Sequence, residues 1–380
     1  MAAKRGFLRI RRALPVTRVA VALIGAAALS GSCSSETPSD PKPTPTETPP
    51  AKSPPPPPPE DPVDDGAPLE LRGGVGPIHV DALPAAATMV AHVDLAGLAD
   101  APLWAENRAI MERDAETKRA LTAMRRCELP LEGLRAPDIG VDPRASRLAV
   151  IISGAGVGAR GKLECLHREL PDQLGAGTWT FDQDEEGRER LLVADARAGD
   201  SALVGLLVAE DTLVLASAPW LPAIARGLGG ASKPGETASA GPLKPALARV
   251  ESARHIWFAG TLPADALAAL QREGITGVLD VAGALDLSDG LAIALSVRAE
   301  DDARAGTMLT RARTQFDNVR PLARLAGVPE GVVDSVSMRQ ADGGVIELRA
   351  TLSMEDIRAV RKTLNERAPA GPPPTGAKDP

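Results

Sequence analysis

The 380-residue chain has no tyrosine, four phenylalanines and four tryptophans. Carbohydrate and peptide sites often rest on aromatic platforms, so a lectin-like or polysaccharide-binding role lacks its usual residues. Trp104, Trp179, Trp220 and Trp257 are expected in the core. Histidine is as scarce: His79, His92, His167 and His255 are the full set, and none falls in an HExxH pattern. That removes the helical zinc-protease signature, and neither a metal nor a cofactor is expected. Long apolar runs are missing too. The stretch Val19 to Leu29 falls short of the roughly twenty apolar residues that a transmembrane helix needs.

That stretch has another use. Lys4, Arg5, Arg9, Arg11, Arg12 and Arg18 precede it without an intervening acid, and small residues and Cys33 end it. A charged region, a short apolar region and small residues before a cleavage point make a secretory signal. The run Leu29-Ser30-Gly31-Ser32-Cys33 resembles the lipobox of bacterial lipoproteins, whose cysteine is diacylated on sulfur and becomes the new N-terminus. Ser30 stands where that family usually has leucine, with Leu29 one place early. The resemblance covers residues 1–33 and implies an anchor, with palmitate-type acyl chains on Cys33, and no activity. Two or three acyl chains hold stably where one does not. Ser34 after the cysteine resembles sequences sorted to the outer membrane of Gram-negative bacteria.

Residues 36–63 then hold thirteen prolines, including the unbroken run Pro54 to Pro59. Such a segment cannot bury a core and favours polyproline II. At about 3.1 Å per residue it reads as a disordered stalk able to hold a domain roughly 100 Å from its anchor. Removing residues 1–32 takes away six positive charges and no negative ones, so the formal charge falls from −7 to −13. A chain this acidic is a poor match for phosphate backbones, and no nucleic-acid partner is expected.

Sustained hydrophobic patterning runs from about Pro77 to Arg367, enough for a large core. A Gly, Ser and Pro-rich stretch at 227–242 reads as a flexible linker between a first half at 77–226 and a second at 243–367, with 368–380 a disordered tail. In the first half, strands are expected at Thr88 to Leu95 and Arg147 to Ser153, helices at Leu98 to Cys127 and Pro219 to Arg226, and hairpins around Glu186-Gly187 and Glu210-Asp211. The second half expects a strand at His255 to Ala259, a helix at Ala264 to Arg272, and hairpins around Asp289-Gly290 and Asp342-Gly343. Leu291, Ile293, Leu295 and Val297 alternate with Ala292, Ala294 and Ser296, and Ile346, Leu348, Ala350 and Leu352 alternate with Glu347, Arg349 and Thr351. A helix from Asp301 is expected to kink or end at Pro321, and Ser353 to cap the last one. Strand, helix, hairpins, helix in both halves gives an α+β fold: two similar halves of antiparallel sheet with helices packed on one face, as an internal duplication would build.

Several constellations carry possible chemistry. With Cys33 acylated, Cys127 and Cys165 are an even pair in an oxidising compartment, which predicts a disulfide. Gly156 to Lys162 reads GVGARGK after a strand, a phosphate-loop pattern as far as its lysine, but Leu163 replaces the hydroxyl residue that would meet magnesium. Asp182, Asp184, Glu186 and Gly187 echo the start of a calcium loop, yet Val193 occupies the twelfth position that should be a bidentate acid. His92 and Asp94, two apart on a strand, have the spacing of a metal pair or of a base and its orienter, but two residues do not make a site and a satisfied strand surface is the preferred reading. No serine has a nucleophile-elbow context. These observations favour a non-catalytic envelope lipoprotein that binds a protein partner or a small ligand, with an exported hydrolase as the competing class.

Overall fold

The computed structural model describes residues 79–367, apart from 171–177, 195–202 and the single positions 185, 234, 253, 273 and 326. The signal, Cys33, the stalk and the tail lie outside these residues. The described chain builds one twelve-stranded sheet in the spatial order β11-β12-β10-β9-β8-β1-β2-β3-β7-β6-β5-β4. The first seven strands are β1 Met89–Val93, β2 Leu134–Asp142, β3 Arg147–Gly154, β4 Thr178–Gln183, β5 Glu189–Ala194, β6 Leu203–Ala209 and β7 Thr212–Ser217. The rest are β8 Ile256–Gly260, β9 Val278–Asp286, β10 Gly290–Ala299, β11 Ser337–Ala341 and β12 Val345–Ser353. Every pairing is antiparallel.

Ten α-helices among the described residues accompany it: α1 Leu95–Asp100, α2 Pro102–Met111, α3 Ala115–Arg126, α4 Arg160–Glu169, α5 Leu221–Leu228, α6 Lys244–Leu247, α7 Ala264–Arg272, α8 Asp302–Leu325, α9 Glu330–Asp334 and α10 Met354–Arg367. The fold is α+β, and its two halves share a topology. Spatially, β1-β2-β3-β7-β6 in the first matches β8-β9-β10-β12-β11 in the second, with the β4–β5 hairpin an addition outside β6. The matching units meet where β1 pairs with β8 over Met89↔Gly260 to Val93↔Ile256. The sheet is therefore continuous between halves. The stretch expected as a flexible linker is tied to the fold near its C-terminal end: Ala238 is fully buried, its N–H donates to the Leu83 carbonyl at 2.8 Å, and the Ala85 N–H donates to the Glu236 carbonyl at 2.8 Å.

Register explains how the sheet is covered. Ile151 and Val214 belong to a core with Trp220, Ile224 of α5, Leu243 and Ala246 of α6. Their chain neighbours Ile152, Leu213 and Leu215 pack with Met124 of α3 and with Leu163 and Leu166 of α4. Successive strand residues point to opposite faces, so α5 and α6 cover one face, termed here the inner face, and α3 and α4 the other. On the outer face of the second half, Ala305 and Met308 of α8 pack with Val278, Ala299 and Ile346.

The stretch Leu98 to Cys127 is mostly helical, as expected, and is divided among α1, α2 and α3, because Pro102 opens α2 and Asp114 caps α3, accepting from the Thr117 N–H at 2.8 Å. β2 went unforeseen, since Pro137 lies within it; it sits one residue beyond the last β1 pair and beside a register shift at Leu134/Ala136, where a missing donor is tolerated. Of the two outcomes expected at Pro321, a kink or an end, the end does not occur: α8 continues past it to Leu325.

Candidate functional site

One row of residues crosses the inner face through the whole sheet. It runs Ser337, Arg349, Ala294, Ala284, Trp257, His92, and continues through Asp138, Ile151, Val214, Leu206, Arg190 and Asp182, each paired with the next. The row is charged at both ends and apolar near its middle, where α5 and α6 pack, but His92 and Asp138 interrupt the apolar part. Both are fully buried. His92 Nδ1 lies 2.6 Å from Asp138 Oδ1, and the imidazole stacks on Trp257 with 5.6 Å between centroids and 17° between planes. Asp138 Oδ2 accepts the backbone N–H of His79 at 2.8 Å, and His79 Nε2 lies 3.0 Å from Ser153 Oγ. Burial pulls the His79 pKa below the usual imidazole value, partly opposed by the charges of Asp138 and Asp211.

A serine beside an imidazole beside a carboxylate has the parts of a nucleophile and its base. The rest of that machinery is committed elsewhere. Ser153 is buried at 6% exposure. Asp138 meets the backbone of His79 and, in its side-chain pairing, His92. The amides following the serine, which would stabilise an oxyanion, donate within the fold: Gly154 N–H to Asp211 at 3.0 Å and Ala155 N–H to Gly133 at 3.2 Å. This network is a buried structural device. Because His79 and Ser153 are 74 residues apart, nothing local in the sequence announces it.

The other sequence candidates resolve individually. His92 pairs with Asp138, while Asp94 caps α1, accepting from Gly97 N–H at 2.9 Å; both are buried, so neither forms a strand surface. The GVGARGK segment does lie between β3 and α4, the context a phosphate loop needs. Several of its donors, however, are spent: Gly158 N–H on Glu210 at 3.0 Å, Ala159 N–H on Gly156 at 3.1 Å, and Lys162 Nζ on the Glu128 carbonyl at 3.0 Å. Gly158 is glycine because a Cβ there would stand 1.9 Å from the Ala209 carbonyl oxygen. In the acidic hairpin, Arg190 clamps Asp182 with bonds of 2.9 and 2.7 Å, and Arg188 bonds Asp184 and Glu186. Burial raises the Asp184 pKa, but hydrogen bonds from the Arg188 backbone and side chain outweigh it and hold the carboxyl low. Arginines thus fill the places calcium would take, and the described residues hold no cluster of three or more metal-ligating side chains. Cys127, which caps the C-terminus of α3, is joined to Cys165 of α4 with Cα atoms 5.6 Å apart.

A polar constellation that opens to the surface lies at the other end of the row, in the second half. A groove of about 140 Å³ is floored by Ala282, Ala284, Ala294 and Ser296 and walled by Arg249, Glu251, Glu347 and Arg349. Glu251 bridges two arginines, accepting from Arg254 Nε at 3.0 Å and Arg349 Nη2 at 3.1 Å. Arg249 is fully engaged, by the Pro245 carbonyl at 2.8 Å, Ser296 at 3.2 Å and Asp280. Glu347 Oε2 accepts from Arg339 at 2.7–2.8 Å. Unspent capacity remains on Arg349 Nε and Nη1 and on Glu347 Oε1, which meet no partner among the described residues. Alternation along β12 had already set Glu347 and Arg349 opposite the apolar side chains; the approach of Arg249 and Glu251 from beyond α6 was not visible.

No protein-family model matches the sequence, and no curated protein matches it. Among solved structures, the chain is similar to crystal forms of TP0453: form III at 9% identity with a TM-score of 0.43, form I at 10% and 0.41, and form IV at 8% and 0.40. Each covers 76% of this chain and 96–98% of the other.

Proposed function

We propose that this chain is a cell-envelope lipoprotein, acylated at Cys33 and carried on its proline-rich stalk, whose folded part binds a ligand or an envelope partner and does not catalyse. The anchor places it on the outer membrane of a Gram-negative bacterium. The observation that carries the binding role is the groove on the inner face of β9, β10 and β12, where Arg349 and Glu347 keep unspent hydrogen-bonding capacity. No helix among the described residues is long and apolar enough to cross a membrane, which leaves the cysteine as the feature that supports attachment. Labelling cells with radioactive palmitate tests the anchor. Label is expected on the wild-type chain in the membrane fraction and absent from Cys33→Ser; unlabelled, soluble wild-type protein would refute it.

The contact of 3.0 Å between Ser153 and His79 favours a second reading, an exported hydrolase. A serine-directed phosphonate probe separates the two. The binding reading expects no adduct on folded protein, whereas an adduct at Ser153 that disappears in His79→Gln would establish the hydrolase.

A further inference from the structure

The repeated topology shows that the groove is unusual within its own fold. In the first half, the inner face of β3 and β7 presents Ile151 and Val214, and Ile224 of α5 closes over them. The matching strands of the second half, β10 and β12, present Ala294, Ser296, Glu347 and Arg349 instead. Their counterpart helix α10 contributes nothing to the groove wall and is held by Glu106 of α2, which accepts from Arg358 and Arg361. Core packing therefore accounts for the first surface and leaves the second unexplained. Small side chains on the floor keep it open, where larger ones would have filled it.

The geometry points to a binding site for a free amino acid, held as its zwitterion, a specification that rests on reading the folded part as a binding module. Arg349 has spent an Nη2 hydrogen on Glu251; its Nε–H and Nη1–H point apart, and either can donate a single charge-assisted bond to a carboxylate. Glu347 stands two residues away on the same face, about 7 Å along the strand, and its free Oε1 accepts from an ammonium. One ligand with opposite charges a few ångströms apart satisfies both. Size agrees: a space of about 140 Å³ is small beside the roughly 300–1,000 Å³ of sites for drug-sized molecules. The second positive wall residue, Arg249, spends its donors on Pro245, Ser296 and Asp280, so Arg349 and Glu347 are the wall residues with a donor and an acceptor left over, the pair a zwitterion uses.

Equilibrium dialysis of the whole acylated protein against each radiolabelled standard L-amino acid tests the assignment. At least one is expected to be retained saturably, and Arg349→Met is expected to weaken it at least about tenfold. Glu347→Gln should weaken the same amino acid and leave the binding of its N-acetyl derivative unchanged, since that derivative has no ammonium. The Arg349→Met chain is expected to fold, because Glu251 keeps Arg254; circular dichroism checks this. Should it not fold, Ala294→Leu, which fills the floor without removing a charge, takes its place with the same expected loss. Retention of no amino acid by folded wild-type protein, or retention indifferent to these substitutions, overturns the assignment. Palmitate on Cys33 is read separately, so an acylated chain that retains no amino acid refutes the groove's ligand and not the anchor.

Discussion

Asp138 is a buried carboxylate that ties two segments of the inner core together. It accepts from the His79 backbone at 2.8 Å and sits 2.6 Å from His92 Nδ1, both inside the fold. Asp138→Ala removes the acceptor of both contacts, each loss costing about 1–3 kcal/mol, so urea denaturation is expected to show a loss of roughly 2–6 kcal/mol. Ser153→Ala, which removes one neutral bond, should cost about 1 kcal/mol. His79 adds a pH dependence. Burial lowers its folded pKa below 6.5, so on acidification the unfolded chain takes up the proton first. Its contribution is therefore complete above about pH 6.5 and is lost as pH falls toward the folded pKa. Stability measured through that window should decline in the wild type and decline less in His79→Gln. A carboxylate gives the same sign lower on the scale. Burial opposes the shift at Asp286, but bonds from Ser288 and Arg254 hold its pKa below the ordinary value, so its contribution is present at neutral pH and disappears in acid.

At the scale of elements, alternation and turn residues made most strands legible. Asp289-Gly290 and Asp342-Gly343 do mark the β9–β10 and β11–β12 hairpins, and Gly290 and Gly343 take the positive φ that glycine permits. What escaped was β2, whose Pro137 and Gly140 break the pattern of a strand although it lies near the sheet centre. Long-range convergence was equally hidden: Glu251 reaches Arg349 across 98 positions, and no local pattern encodes that. The β3–α4 loop shows the opposite failure, a familiar pattern whose amides serve the fold. Two of its glycines separate packing from motif. Gly158→Ala meets the Ala209 carbonyl and should cost about 1–3 kcal/mol. Gly161→Ala, with nothing within 4 Å and a place in α4, should gain up to about 1 kcal/mol. Thermal unfolding of the two variants distinguishes these directions, and similar losses at both would argue against the packing account.

For the whole molecule, repetition and continuity have different consequences. The halves repeat one topology, yet β1 and β8 share five residue pairs, and Val90, Ile151, Trp257 and Ala284 belong to one core. Such a core couples the halves, so they are expected to unfold together. Three tryptophans, Trp104, Trp179 and Trp220, report the first half, Trp257 reports the second, and circular dichroism reports both. Coincident urea transitions by tryptophan fluorescence and by circular dichroism of one and the same Trp257-only chain are expected; separated midpoints of the two signals would show independent halves. Binding is assigned to the second half, where the sheet's inner face opens, and attachment to the far N-terminus. The most direct test of the account is the mass of the N-terminal peptide of the protein purified from membranes. A peptide beginning at Cys33 and carrying thioether-linked diacylglycerol is predicted. An unprocessed peptide beginning at Met1, or a cysteine bearing no lipid, would contradict it.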